Sequence, residues 1–211
     1  MCTGKHTAKE ETAMTYYITI GRQPGCGGRL VGRELADRLG IAYYDRDNII
    51  DLIAEDTGLA PETVAGLMER KTSSFLYDMA TAAQMNPLEE QVFLSKNRVI
   101  NELADKGSLV LVGSCGDYLL RERENLLKVF LYGSPTQRID RIVNLYHDYD
   151  SLTPQKLTSI DKKRADYYRF FTSGKWGEWS NYDLLMNTDL GLDPVTDMLE
   201  HIARVRFGGE A

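Results

Sequence analysis

The 211-residue chain is poor in cysteine, histidine and tryptophan, and it contains no long apolar run. Its three cysteines, Cys2, Cys26 and Cys115, form no C-x-x-C pair. That spacing argues against a disulfide framework and against a zinc site, and it makes the cytoplasm the expected compartment. His6, His147 and His201 lack metal-ligand spacing and read as surface residues. No segment approaches the roughly 20 apolar residues of a membrane span, so no membrane partner is expected. Residues 1–13 are polar, without the apolar stretch of a secretory signal. They read as a disordered lead-in to a single domain over 14–211, with Met14 as an alternative start. Basic excess is missing too: 25 Lys and Arg face 31 Asp and Glu, a net charge of −6. A nucleic-acid polymer is therefore not the expected partner.

What is present is ordinary for a globular protein, with 43% hydrophobic and 27% charged residues. The chain is long enough to bury a core without staples. Charge is uneven, however. Residues 135–175 hold eight Lys or Arg against five Asp, a balance of +3 that leaves −9 for the remainder. A local basic segment on an acidic protein suits a small anionic ligand. A solvated helix face laced with i,i+4 pairs is the plain alternative.

Apolar strands alternate with helical patterns along the chain. Tyr16–Ile20, Ile41–Tyr44, Leu109–Val112, Val129–Tyr132 and Tyr182–Met186 read as strands. Helices are expected after Gly28, throughout 46–106, from Pro135, from Pro154 to about Phe171, and from Asp193 to about Arg206. Uniformly apolar strands separated by helices predict an α/β fold with a parallel sheet covered on both faces. Such sheets bind ligands beyond the carboxyl ends of their strands. Gly21–Gly28, Asp45, Gly113–Asp117 and Gly133–Arg141 all fall at those ends.

Gly21–Gly28 holds four glycines and a proline between a strand and a helix. Glycine admits close approach of an anion, and a helix N-terminus offers free N–H groups. The segment suits phosphate, or it is a tight turn that needs glycine for its shape. Two phosphate motifs fit in part. The dinucleotide fingerprint can start at Gly25-x-Gly27, with Asp45 about 20 residues on, but Leu30 stands at its third small position. In the Walker pattern G-x-x-x-x-G-K-[ST], Gly27 as second glycine puts Gly28 at the lysine, and Gly28 as second glycine puts Arg29 there, followed by Leu30. Cys26 is either a thiol activated by the helix N-terminus or a small residue that fits the loop. Tyr167, Tyr168, Trp176 and Trp179 can stack on a base or close a hinge. Asp161 and Arg164 stand i,i+3 and can pair along one helix.

The segment Ile18–Ala36 followed by Leu39–Asp45 resembles the opening of the cytidylate kinase-like family of P-loop nucleoside monophosphate kinases. The resemblance continues at Leu109–Leu120, Ile160–Tyr168, Trp176-Gly177 and Asn181–Leu184, and it covers most of 14–206. It implies a three-layer kinase fold on a five-stranded parallel sheet, with an acceptor-side helical region at 46–106 and a basic lid at 135–180. It implies ATP with Mg²⁺ as cofactors and a small-molecule nucleotide, CMP or dCMP first, as acceptor. Gly25, Cys26, Gly27, Gly28 and Arg29 match the phosphate loop. Arg29, Arg138, Arg141, Asp161 and Arg164 match the catalytic and lid positions. Asp45, Ser114 and Asp117 match the acceptor side. Two departures stand out: Ser114 replaces an arginine usual in the family, and Leu30 removes a hydroxyl that commonly holds Mg²⁺. The competing readings are a nucleotide-binding regulator with weakened catalysis and an NAD-binding oxidoreductase. The basic segment speaks against the latter, because hydride transfer needs no cluster of arginines. A homo-oligomer is left open.

Overall fold

The computed structural model describes residues 14–69, 87–113 and 115–208. Its strands are β1 (Tyr17–Arg22), β2 (Ala42–Tyr44), β3 (Leu109–Val112), β4 (Leu126–Tyr132) and β5 (Leu184–Asn187). They form one parallel sheet in the order β2-β3-β1-β4-β5. The helices are α1 (Gly28–Leu39), α2 (Arg46–Thr57), α3 (Pro61–Glu69), α4 (Pro87–Asp105), α5 (Gly116–Leu119), α6 (Pro135–Asp140), α7 (Pro154–Thr172) and α8 (Leu192–Phe207). The expected α/β kinase-type architecture is present. The expected N-terminal tail lies outside the described residues.

Strand alternation divides the core into two layers. Ile18 and Ile20 of β1, Val110 and Val112 of β3, and Leu127, Val129 and Leu131 of β4 face α1 and α8. Tyr17, Leu109, Leu111 and Leu126 face α2, α3 and α4. Side chains along a strand point to opposite faces, so a run that is apolar at every position fills both layers. Helix α1 turns Val31 and Leu35 onto the sheet, both essentially without exposure. Each such burial stabilises by about 1.5–3 kcal/mol. The helix stops at Gly40, whose positive φ lets its N–H return to Ala36 and Asp37 carbonyls.

Several boundaries differ from the sequence reading; β5, for one, runs Leu184–Asn187 rather than Tyr182–Met186. Strand β1 continues through Gly21 to Arg22, because its ladder with β4 still pairs Arg22 with Leu131. Strand β4 begins at Leu126, three residues early, because Leu126 pairs with Tyr17. Beyond α6 the chain widens into a π-helical turn over Arg141–Leu145, a form that often marks functional positions.

The order β2-β3-β1-β4-β5 places β1 between β3 and β4. The chain leaves β1 toward one edge and later crosses to the other. The seam beyond the carboxyl ends of β1 and β3 is thus the topological switch point, where ligands bind in open α/β sheets.

Candidate active site

The glycine loop leaves β1 at this seam. Gly25 has φ 77° and Gly27 φ 88°, values that L side chains rarely adopt. Gly25 lies directly against the Arg138 backbone, and Gly27 against the Leu192 side chain. Glycine is therefore required at both positions for conformation and for space. Gly27 is the N-cap of α1, and no side chain caps this helix. The Leu30 and Val31 amides donate to the Gly27 carbonyl at 2.9 and 3.0 Å, and the helix dipole favours an anion at this end. Cys26 points the other way. Its thiol is buried in the layer beneath α1 and α8, and its amide donates to the Gln23 carbonyl at 3.3 Å. Burial pushes the thiol pKa up, opposed by Arg22 and the Gly28 amide. Cys26 is thus a small core side chain and not an activated thiol.

Two arginines brace the loop from behind. Arg138 is buried, donates from Nε to the Pro24 carbonyl at 2.7 Å and pairs through Nη2 with Asp161 at 2.6 Å. Arg141 donates to the Gly25 carbonyl at 3.4 Å and to the Thr188 carbonyl at 3.2 Å. Asp161 therefore ties α7 to α6 through Arg138. Arg29 sits at the loop's outer edge, over the Tyr146 ring at 4.8 Å, with Asp47 at 3.9 Å and Asp148 at 3.8 Å.

Two clefts adjoin at the loop. The larger, about 410 Å³, is walled by Gly25, Gly27, Gly28, Arg29, Asp47, Tyr146 and Asp148. The smaller, about 190 Å³, is walled by Met68, Cys115, Lys163, Tyr167, Tyr168 and Trp176. Arg22, Arg46, Tyr149, Ile160 and Arg164 line both. Three guanidinium-bearing residues thus stand where the clefts meet. Among the described residues no group of three or more His, Cys, Asp and Glu could hold a metal ion. Asp47 and Asp148 on the larger cleft nevertheless suit Mg²⁺, which takes one or two carboxylates and completes its shell with phosphate oxygens and water.

The acceptor-side residues are placed unevenly. Ser114 lies outside the described residues. Asp45 is buried as the N-cap of α2, accepting from the Asp47 and Asn48 amides and from the Tyr43 hydroxyl at 3.0 Å. It lines neither cleft, yet it fixes the start of the helix that carries Arg46 into both. Asp117 is buried beneath the smaller cleft and accepts from the Tyr168 hydroxyl at 2.6 Å. Burial raises its pKa, while the Tyr168 bond opposes this. Trp176 meets Phe130 edge-on, with ring centroids 5.3 Å apart.

Sequence reasoning missed Arg22, Arg46 and Lys96. Arg22 ends β1 and Arg46 follows the N-cap residue after β2, so each stands at a strand's carboxyl end, which is itself a signal. Lys96 interrupts the apolar stripe Val92, Val99, Leu103 of α4 and is completely buried. A lysine on the buried stripe of a helix is also a legible signal. Its ammonium lies 3.4 Å from the Tyr167 hydroxyl. Burial lowers its pKa to about 8, with Arg22 and Arg46 adding to the shift and Cys115 and Asp117 opposing it.

Solved structures share this architecture. An uncharacterized protein from Eubacterium ventriosum superposes with TM-score 0.68 at 23% identity, covering 91% of this chain and 99% of that one. A gluconokinase from Sinorhizobium meliloti superposes with TM-score 0.54 at 16% identity, covering 92% and 94%. A shikimate kinase from Bacteroides thetaiotaomicron gives TM-score 0.53 at 13% identity, covering 90% and 98%. A search of curated proteins returns no match. Residues 17–190 match the cytidylate kinase-like family. With a glycine loop on an uncapped helix, a five-stranded parallel sheet and a match over most of its length, the chain belongs to the cytidylate kinase-like family.

Proposed function

We propose that the protein transfers the γ-phosphoryl group of ATP to a nucleoside monophosphate, with CMP or dCMP the first acceptor to test. One observation carries the reading: two adjoining clefts share Arg22, Arg46 and Arg164 at their junction. Phosphoryl transfer needs little covalent chemistry. It needs two ligands in line and cations where charge spreads over the transferring oxygens.

In this reading the amides of Gly27, Gly28 and Arg29 hold the donor phosphates in the larger cleft. Arg138, Arg141 and Asp161 position that loop, since their polar groups are spent on its carbonyls and on one another. Asp47 and Asp148 would hold Mg²⁺, which when bound neutralises phosphate charge. The acceptor occupies the smaller cleft, its phosphate toward Arg46 and Lys163 and its base against Tyr167, Tyr168 and Trp176. Asp117 positions Tyr168, and Ser114 belongs to the same side. Residues 135–180 serve as a lid that brings Arg164 to the junction and excludes water.

A coupled assay with ATP-Mg²⁺ and each nucleoside monophosphate tests the proposal. Turnover with one pyrimidine monophosphate well above the others is the expected result. Failure of every monophosphate, with ATP still bound, favours a second reading, a nucleotide-binding regulator. The loop supports that alternative, because the Walker hydroxyl position falls on Arg29 in one register and on Leu30 in the other, and neither carries a hydroxyl for the metal.

A further inference from the structure

The glycine loop has no lysine at the Walker position, and Arg29 does not take its place. With Gly27 as second glycine, the pattern G-x-x-x-x-G-K puts its first glycine at position 22 and its lysine at position 28. This chain has the two residue types exchanged, with Arg22 at the first-glycine position and Gly28 at the lysine position. The structure gives the exchange a steric basis. A Cβ built on Gly28 would lie 2.9 Å from Arg22 Cγ and 3.2 Å from Arg22 Cβ. The Arg22 stem runs through the space where a side chain at position 28 would start. The two side chains exclude one another.

The guanidinium ends at the junction of the clefts. It lies against Gly113 at the end of β3, where a Cβ would sit 2.7 Å from Arg22 Cζ and 2.9 Å from Nη2. Gly113 has φ 103°, so it too is glycine for conformation and space. Arg22 lines both clefts. The other loop arginines are occupied elsewhere: Arg138 and Arg141 hold loop carbonyls, and Arg29 is drawn outward to Tyr146 and Asp148. Arg22 forms no ion pair with a carboxylate among the described residues. Burial is the main cause of its lowered pKa, with Cys26 and Tyr43 opposing and Arg29 and Arg46 adding to the shift. A half-buried cation beside other cations is favoured by an arriving anion.

We propose that Arg22 supplies the phosphate-neutralising charge that a P-loop otherwise takes from its lysine, with its guanidinium meeting the terminal phosphate oxygens at the junction of the two clefts. The assignment rests on the phosphoryl-transfer reading for its catalytic part, but its binding part stands apart from turnover. Gly28 is then glycine so that the Arg22 stem can pass, and Gly113 so that its guanidinium can seat.

Inorganic tripolyphosphate titrated calorimetrically against the full chain tests the binding part, and turnover with ATP tests the rest. Arg22→Met should weaken tripolyphosphate binding about ten- to hundredfold, the scale of a lost charged hydrogen bond. It should lower kcat about 10²- to 10³-fold, as for loss of a preorganised transition-state donor. Arg22→Lys should fall between the two proteins. The decisive variant is the double substitution Arg22→Gly with Gly28→Lys, which restores the usual order. It should bind tripolyphosphate at least about tenfold more tightly than Arg22→Gly alone, a rescue that a merely structural arginine would not show. Unfolding midpoints for each variant accompany the titrations. If Arg22→Met does not fold, the double substitution against Arg22→Gly carries the test. Wild-type affinity in Arg22→Met, or no rescue in the double variant, overturns the assignment. Arg22-dependent tripolyphosphate binding in a protein that turns over no acceptor supports the assignment and counts against the kinase reading instead.

Discussion

At the scale of single residues, Lys96 has the most unusual surroundings in the protein. It is wholly buried on α4, with Tyr167 at hydrogen-bond distance and its ordinary pKa of 10.5 lowered to about 8 by burial. Linkage gives the sign. Between about pH 8 and 10.5 the unfolded chain keeps a proton that folded Lys96 has released, so this residue makes stability rise with pH across that window. The contribution is on the order of 3 kcal/mol over the full window. Cys115 acts oppositely, because burial pushes its thiol up from 9.0 to about 11 and the folded state then holds the extra proton. The informative comparison is therefore wild type against Lys96→Met, by urea midpoints at about pH 7.5 and about pH 9. The variant should gain less stability over that step than the wild type. Equal slopes for the two proteins would show that Lys96 does not titrate in this range.

At the scale of elements, the pair Arg138–Asp161 ties α6 and α7 to the glycine loop. Spacing along the chain put Asp161 beside Arg164, one turn away on the same helix. The fold instead sends Asp161 to Arg138 across two elements at 2.6 Å. The two residues of the i,i+3 pair should therefore behave differently. Asp161→Ala leaves the buried Arg138 uncompensated and should cost roughly 3 kcal/mol, the low end of the range for a broken buried pair, since Asp161 keeps some solvent contact. Arg164→Ala should cost less stability than Asp161→Ala, while lowering kcat by orders of magnitude if it meets the transferring phosphoryl group. Thermal midpoints and turnover for both variants separate these roles. Similar small stability losses would show that the Asp161 pair does not hold the loop. The same contrast shows why the pairing was not legible in the sequence: helical spacing lists available partners, and packing of α6 against α7 selects among them.

At the scale of the whole molecule, ligand binding and folding are coupled through the loop. The amides at the start of α1, the braces from α6 and the junction arginines belong to segments more than 100 positions apart, as in the Arg138 bond to Pro24. A nucleotide that engages them binds the folded state alone. ATP-Mg²⁺ at about 100 times its Kd should therefore add about 2.7 kcal/mol to stability. For a chain of this length that corresponds to a rise of roughly 5–10 °C in Tm. Thermal scans with ATP, each nucleoside monophosphate and NAD would rank the ligands. A rise with NAD and none with ATP would favour the dinucleotide reading of Gly25-x-Gly27 and Asp45. The larger cleft, lined by the glycine loop with Arg22, Arg29 and Arg46, is expected to respond to triphosphates, and the smaller to monophosphates.

The alternation of strands and helices, the glycine loop on a helix start and the order of the motifs were all legible in the sequence. Each is a local property, set by period, turn chemistry and capping within some ten residues. Position and pattern marked Arg22 and Lys96 in the sequence, but not where their charges end. A long cationic side chain reaches far beyond its own element, and where its charge ends depends on the neighbours it is packed between. The Arg22 stem could cross Gly28 and end beside Gly113 only once β1, α1 and β3 were brought together. Sequence thus determined the α/β architecture and the glycine loop at its helix start. The tertiary structure decided which arginine ends where the two clefts meet, because that placement depends on space shared by segments distant in the chain.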